Sequence, residues 1–225
     1  ISDLGGPSAN MYKMKGVNEK ICEVCRRPSC LHPTICKNLN TDHTPMIDLY
    51  KEASKIEGVK KITVGSGIRY DFLEQEEGKN HFREYFRDLV KNHVSGRLKV
   101  APEHANPDVL KIMRKPEFGL FNQLYKKFQK INADEGLNQQ LIPYFISSHP
   151  DCTPEEMAEL AVVTKKQGFK LEQVQDFTPT PMTLATVMYY SGYDPYTLEK
   201  VVTAKTEKEK SSQVMFFFWY KKEYR

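Results

Sequence analysis

The chain has 225 residues and a formal net charge of +4, with 40% hydrophobic and 11% aromatic content. This length and composition support a sizeable core within one domain and exclude wholesale disorder. The mild charge, with no dense Lys/Arg stripe, permits a nucleic-acid partner without arguing for one. The absence of a membrane-length apolar run and of a signal-peptide pattern gives an expectation of a cytoplasmic protein with no membrane partner.

The chain opens on "ISDLGGPSANMY", without an initiator Met, as if at the end of a strand, so further sequence upstream is expected. Next comes "ICEVCRRPSCLHPTIC", which gathers Cys22, Cys25, Cys30 and Cys36, while the fifth cysteine, Cys152, stands far downstream. In a reducing compartment clustered cysteines bind metal more often than they form disulfides. Four close thiolates suit tetrahedral Zn²⁺ or an iron–sulfur cluster, and unmetallated thiols are the alternative. His32 and His43 are spare ligands, and Arg26, Arg27 and Lys37 would offset thiolate charge.

A strand–helix alternation follows. "GVKKITVGSG" reads as a short β-branched strand, and residues 80–94 as a helix with Phe82, Tyr85, Phe86, Leu89 and Val90 on one face. "GRLKVAPEH" is the next strand, then a short helix near 107–113. A longer helix covers about 118–131, with Phe121, Leu124, Tyr125 and Phe128 as its apolar stripe. "QQLIPYFISSHP" is a buried strand. Its helix starts at "TPEEMAEL", where Thr153 is the N-cap, Pro154 the first helical residue and Glu156 the closing side of a capping box. Gly168 ends that helix. "LEQVQDF" is the last strand and "MTLATVMYYSG" its helix.

Alternating strands and helices predict βαβ units and a parallel sheet, as a barrel or a doubly wound sheet. The strand ends are polar or glycine-rich: "SDLGGP", "GSGIRYD", "APEH", "SSHPD" and "QDFTPTP". Loops after the C-terminal ends of parallel strands build active sites, so these five clusters are expected to line one mouth. Any one of them alone is explained as well by ordinary loop polarity.

In this order, "DLGGPSANMY", the cysteine run, "HVSGRLKVAPEH", "PYFISSHP" and "PTPMTLATVMYY" resemble the C-terminal part of a YgiQ-type radical SAM protein, over nearly the whole chain. "VLKIMRK" is similar to a Leu-x-x-Met-x-Arg/Lys helix of the related methylthiotransferases. The resemblance implies an α/β fold, a partial (β/α) barrel of the radical SAM type over residues 1–190 that lacks its first β/α unit. A cysteine-rich metal-binding insertion would occupy 17–42 and a C-terminal extension 191–225. It implies a [4Fe–4S] cluster that reductively cleaves S-adenosylmethionine to a 5′-deoxyadenosyl radical, an unknown substrate, and an electron donor such as flavodoxin or ferredoxin. The C-x3-C-x2-C loop that holds this cluster in the family is absent here and expected upstream, so the chain alone is expected to be inactive. The cysteine run, differently spaced, becomes a second metal site: an auxiliary [4Fe–4S] cluster or Zn²⁺ on Cys22, Cys25, Cys30 and Cys36.

The resemblance also assigns cofactor-binding positions. Gly5, Gly6 and Pro7 match a glycine motif whose backbone approaches the methionine ammonium, or else form a tight turn. Ser66, Arg69 and Asp71 end the next strand, and Arg69 would pair with the methionine carboxylate or make a surface salt bridge. Glu103 would contact the ribose, with His104 beside it. His149 and Pro150 close the fifth unit, followed by Asp151 where family members often carry Gly. Gln175 and Phe177 would border adenine. The alternative from a different class is a non-catalytic, metal-stabilised α/β module that touches RNA through "KKITVGSGIRY".

Overall fold

The computed structural model describes residues 1–6, 8–75, 81–171 and 173–222, with only the backbone of Ala9. In chain order the helices are α1 (Glu19–Glu23), α2 (Thr44–Ser54), α3 (Phe82–Asp88), α4 (Pro107–Ile112), α5 (Phe118–Asp134), α6 (Pro154–Lys166), α7 (Leu184–Ser191) and α8 (Glu207–Val214). The strands are β1 (Arg97–Glu103), β2 (Gln140–Ser147) and β3 (Gln175–Asp176). The chain divides into two units, Ile1–Ala101 with Gly119–Ile142, and Pro102–Phe118 with Pro143–Arg225.

The strands form a small parallel sheet in the order β1-β2-β3, so the protein is α/β, and the described strands do not close into a barrel. Alternating burial along β1 and β2 follows from their period-2 side-chain pattern. The predicted strand at 171–177 shrinks to the two residues of β3, paired at Ile146↔Gln175 and Ser147↔Asp176. Glu172 of that stretch lies outside the described residues.

In the first unit, the predicted apolar stripe of Phe82, Tyr85, Phe86, Leu89 and Val90 is buried. Asn80, its predicted first residue, lies outside the described residues. The α-helix ends earlier than expected, at Asp88, and Leu89–His93 continues as a π-helical turn. The end of that turn is drawn to the neighbouring segment: the His93 carbonyl accepts from Val64 N–H at 2.8 Å, and His93 Nδ1 meets the Ile62 carbonyl at 3.1 Å. The stretch "GVKKITVGSG" buries Ile62 and Val64 as a strand would, yet it forms no regular ladder. Its partner is the short run at the N-terminus, through Thr63 N–H to the Ile1 carbonyl (3.0 Å) and Leu4 N–H to the Thr63 carbonyl (2.9 Å). A single parallel bridge, Ile68↔Val100, ties its far end to β1.

In the second unit, α6 starts as its sequence dictates. Glu156 N–H donates to Thr153 Oγ1 at 3.3 Å and Thr153 N–H returns to Glu156 Oε2 at 2.8 Å, which closes the capping box. Gly168 follows the helix at φ +74°, the left-handed conformation that favours glycine. The α7 helix is capped by Thr183 and stopped by Gly192 at φ +76°. A hairpin then folds back through the antiparallel bridge Tyr193↔Lys200. The α8 helix opens on a second capping box, Thr206 with Glu209, and packs on α6.

Candidate ligand site at the strand ends and the cysteine loop

The predicted residues fall in both units. In the first, the N-terminal segment is fastened to the loop around Ser66. Asp3 Oδ1 accepts from Gly65 N–H at 2.9 Å and Asp3 Oδ2 accepts from Ser66 Oγ at 2.6 Å. Ser66's hydroxyl, followed by the Gly65 N–H, holds the Asp3 carboxyl below its ordinary range. Gly5 is exposed and Gly6 half-buried, and Pro7 lies outside the described residues. Arg69 forks onto Asp71, Nε to Oδ2 at 3.1 Å and Nη2 to Oδ1 at 2.9 Å. That is the bidentate geometry a guanidinium uses for any carboxylate. Sequence reasoning missed Asn10. It is fully buried and bonds both the N–H and the carbonyl of Arg69 at 2.8 Å, as a neighbouring strand would. No local pattern announces a contact across 59 residues.

In the second unit the end of each parallel strand carries strained or orphaned polar groups. Glu103, the last residue of β1, has φ +67°, and Lys115 holds its carboxylate at 2.9 Å. After β2, Ser148 has φ +61° and Asp151 φ +64°. Non-glycine residues in the left-handed region cost of order 1–3 kcal/mol each and collect at functional sites. Ser148 Oγ and Asp176 Oδ1 are buried and lack a hydrogen-bond partner among the described residues. Buried polar atoms of this kind fit a polar ligand, because each offers a bond that the protein itself leaves unmade. Gln175 has an exposed side chain, and its carbonyl accepts from Ser147 Oγ at 3.5 Å. His149 is buried, donates Nδ1–H to the Pro150 carbonyl at 2.9 Å, and meets the Phe177 ring at 5.1 Å.

His104 is paired with Cys152. Its Nδ1 accepts from Asn106 N–H at 2.9 Å, which leaves the proton on Nε2, facing Cys152 Sγ at 3.6 Å. Burial, then the charge of His149, pushes the imidazole down to about 4. Burial, then the Glu156 and Asp151 carboxylates, pushes the thiol up to about 12. The pair is therefore a neutral imidazole on a neutral thiol, and lacks the thiolate of a nucleophilic cysteine. Sequence alone presents Cys152 as a loop thiol, since its partner is 48 residues away.

The cysteine loop is closed at its base by the bridge Gly16↔Leu39. Asn38 completes the closure: its Oδ1 accepts from Asn18 N–H and its Nδ2 donates to the Asn18 carbonyl, both at 2.9 Å. Within the loop, Arg27 gathers the carbonyls of Ser29, His32 and Thr34. Backbone bonds join Cys25 to Cys22 (3.1 Å) and Cys36 to Cys30 (2.7 Å), so the cysteines form two local pairs. Two sulfurs accept N–H bonds, Cys22 Sγ from Asn38 Nδ2 at 3.2 Å and Cys25 Sγ from Arg27 N–H at 3.4 Å. The donor set suits a thiophilic metal: Cys22, Cys25 and Cys30 are exposed and Cys36 is half-buried, clear of the apolar core. Among the described residues no three His, Cys, Asp or Glu side chains stand where they could share an ion. His43 is not a spare ligand. It is buried against the Phe72 and Phe82 rings, with Nε2 at 3.2 Å from Asn10 Nδ2.

Gly16 packs closely on the cysteine loop: a Cβ at this position would meet Cys22 Sγ, and that side chain would have to shift. Gly16→Ala is expected to free that sulfur from Asn38, a bond worth about 1 kcal/mol, and so to speed maleimide labelling of Cys22 about fivefold. Unchanged labelling would show that the sulfur is not held.

No helix among the described residues is long and apolar enough to cross a membrane. Residues 172–223 match the family described as Domain of unknown function (DUF3362). The whole chain is similar to a "UPF0313 protein" of Bacteroides thetaiotaomicron, 61% identical over 229 residues, which cover 100% of this chain and 37% of the relative. A "UPF0313 protein" of Porphyromonas gingivalis is 59% identical over 99% of the chain and 36% of its own length. One from Methanocella arvoryzae is 44% identical over 93% and 34%. The chain thus spans little more than a third of the length of these curated relatives.

Proposed function

The chain belongs to the UPF0313 family, and from that premise we propose that it is part of a radical SAM iron–sulfur enzyme whose substrate is unassigned. The supporting observation is the placement of Glu103, Ser148, Asp151 and Asp176 at or just after the C-terminal ends of β1, β2 and β3, strained or with a buried polar atom orphaned. When bound, S-adenosylmethionine with its [4Fe–4S] cluster supplies a 5′-deoxyadenosyl radical that removes hydrogen from a substrate. The residues of this chain bind and orient. By the resemblance, Glu103, now held by Lys115, is assigned to the ribose hydroxyls, and Arg69, now forked onto Asp71, to the methionine carboxylate. The glycine motif of the resemblance, Gly5, Gly6 and Pro7, lets the backbone approach the ammonium, and Ser66 adds a polar contact. His149, Gln175 and Phe177 border the base, and Ser148 Oγ and Asp176 Oδ1 offer the unmade hydrogen bonds. The cysteine loop holds a second centre, an auxiliary [4Fe–4S] cluster or Zn²⁺, through Cys22, Cys25, Cys30 and Cys36.

Calorimetric binding of S-adenosylhomocysteine to the complete, anaerobically reconstituted protein tests this assignment. Glu103→Ala is expected to weaken it roughly tenfold or more, the scale of a hydrogen bond to a charged group. With dithionite and S-adenosylmethionine the same preparation is expected to release 5′-deoxyadenosine. A preparation with full iron and sulfide content that neither binds nor releases would overturn the assignment.

A further inference from the structure

The loop that leaves β2 is held from outside by one stretch of chain. Gln213 of α8 is 1% exposed and uses both ends of its amide: Oε1 accepts from Ser148 N–H at 2.6 Å, and Nε2 donates to the Cys152 carbonyl at 2.8 Å. Val202 adds a second tie, its carbonyl accepting from Asp151 N–H at 2.7 Å and its N–H donating to Asp151 Oδ1 at 3.4 Å. On the neighbouring strand end, Lys210 Nζ lies 2.7 Å from Asp176 Oδ2. All three residues fall within 172–223, the stretch matched by the domain of unknown function.

What these contacts hold does not hold itself. Ser148 and Asp151 both have positive φ, and such conformations persist only where the surroundings over-determine them. The Ser148 hydroxyl, buried and unpartnered among the described residues, contributes nothing to its own placement. A helix that merely covered the core would present an apolar side chain at position 213. The amide instead satisfies one buried donor and one buried acceptor of the same loop, and its removal would strand both.

We propose that residues 202–213, within the matched stretch, are a clamp for the strand-end loop after β2, with Gln213 as the positioning residue that fixes Ser148, His149 and Asp151. What the loop serves rests on the strand-end ligand site proposed above; the clamp itself does not. Gln213→Ala and Gln213→Glu in the complete protein separate the two. Local hydrogen exchange reads the clamp. Gln213→Ala is expected to raise exchange of the Ser148 amide at least tenfold, with less than twofold change in β1 and α6. In Gln213→Glu a protonated carboxyl can both accept from Ser148 and donate to the Cys152 carbonyl, as the amide does. At pH 8 the carboxylate still accepts from Ser148 but has no proton for the Cys152 carbonyl, and is a buried charge with one tie broken. Protection is therefore expected to be near wild type at pH 5 and reduced at pH 8, with wild type measured at both pH values as the control. Exchange that rises uniformly through α6 and α8, or does not follow pH in Gln213→Glu, would overturn the clamp. Calorimetry with S-adenosylhomocysteine then reads the purpose. Affinity that falls as the loop loosens supports positioning, and a loosened loop with unchanged affinity overturns it. If wild type and variants alike fail to bind while the exchange pattern holds, the ligand site falls and the clamp stands.

Discussion

Lowering the pH from 6.5 to 4 is expected to remove about 3 kcal/mol of folding stability through one side chain, His104. Burial depresses its imidazole to about 4 in the folded protein, against an ordinary value of 6.5. Between those values the unfolded chain binds the proton and the folded chain does not, so stability rises with pH. The contribution is fully present above pH 6.5 and is lost as the pH falls towards 4. His149, lowered for the same reason, adds in the same direction. The opposite limb belongs to Cys152: with its thiol pushed up to about 12, stability is lost as the pH rises above its ordinary 9.0. Urea midpoints measured from pH 4 to 8 for wild type and His104→Gln check the acid limb. The variant starts less stable, having lost the bonds to Asn106 and Cys152, but its dependence on pH should be flatter by about 3 kcal/mol over this window. Parallel curves would mean that His104 titrates freely in the fold.

Replacing any one of Cys22, Cys25, Cys30 or Cys36 by Ala is expected to weaken metal binding more than tenfold. Loss of a partner that only orients a ligand already costs roughly 10–100-fold, and loss of the ligand itself costs no less. Anaerobic reconstitution with iron and sulfide should give a cluster chromophore that all four variants lose. Stoichiometric zinc without a chromophore would eliminate the auxiliary cluster and leave a zinc site. Equal metal content in wild type and all four variants would eliminate both. Because no three of the thiols share a point among the described residues, a metal bound on reconstitution has to bring the Cys22/Cys25 and Cys30/Cys36 pairs together. Part of the binding free energy is then spent on rearranging the loop, which couples affinity to loop sequence and to pH.

Much of the fold was legible wherever structure is decided by near neighbours in sequence. The Thr153–Glu156 capping box, the stop at Gly168, the buried stripe of α3 and the alternation in β2 all lie within a few residues of their cause. The same chemistry announces α8 through Thr206 and Glu209, but its "TEKEKSSQV" lacks an apolar stripe, so hydrophobic periodicity does not mark the helix. Strand extent was less legible, because a strand is defined by its partner. "GVKKITVGSG" has the composition of a strand but meets the short N-terminal run, the His93 carbonyl and a single bridge to β1 rather than a full ladder, and β3 is cut to two residues. At the strand ends, the polar clusters are visible in the sequence, but their pairings are not. Asn10 with Arg69, His104 with Cys152 and Gln213 with Ser148 span 59, 48 and 65 residues, and no periodicity encodes them.

The closure of the cysteine loop at Lys15 and Asn40, where Asn40 N–H reaches the Lys15 carbonyl at 2.9 Å, bears on how this chain can change over generations. An excursion whose two ends already touch makes almost no demand on the backbone that carries it. Lengthening such an excursion costs only about 0.6 kcal/mol per doubling in loop-closure entropy. Residues 16–39 are in effect a cassette. They can be traded for a short turn, enlarged or recoded while the flanking chain keeps its path, so the cysteine loop and the strand ends are free to evolve at separate rates.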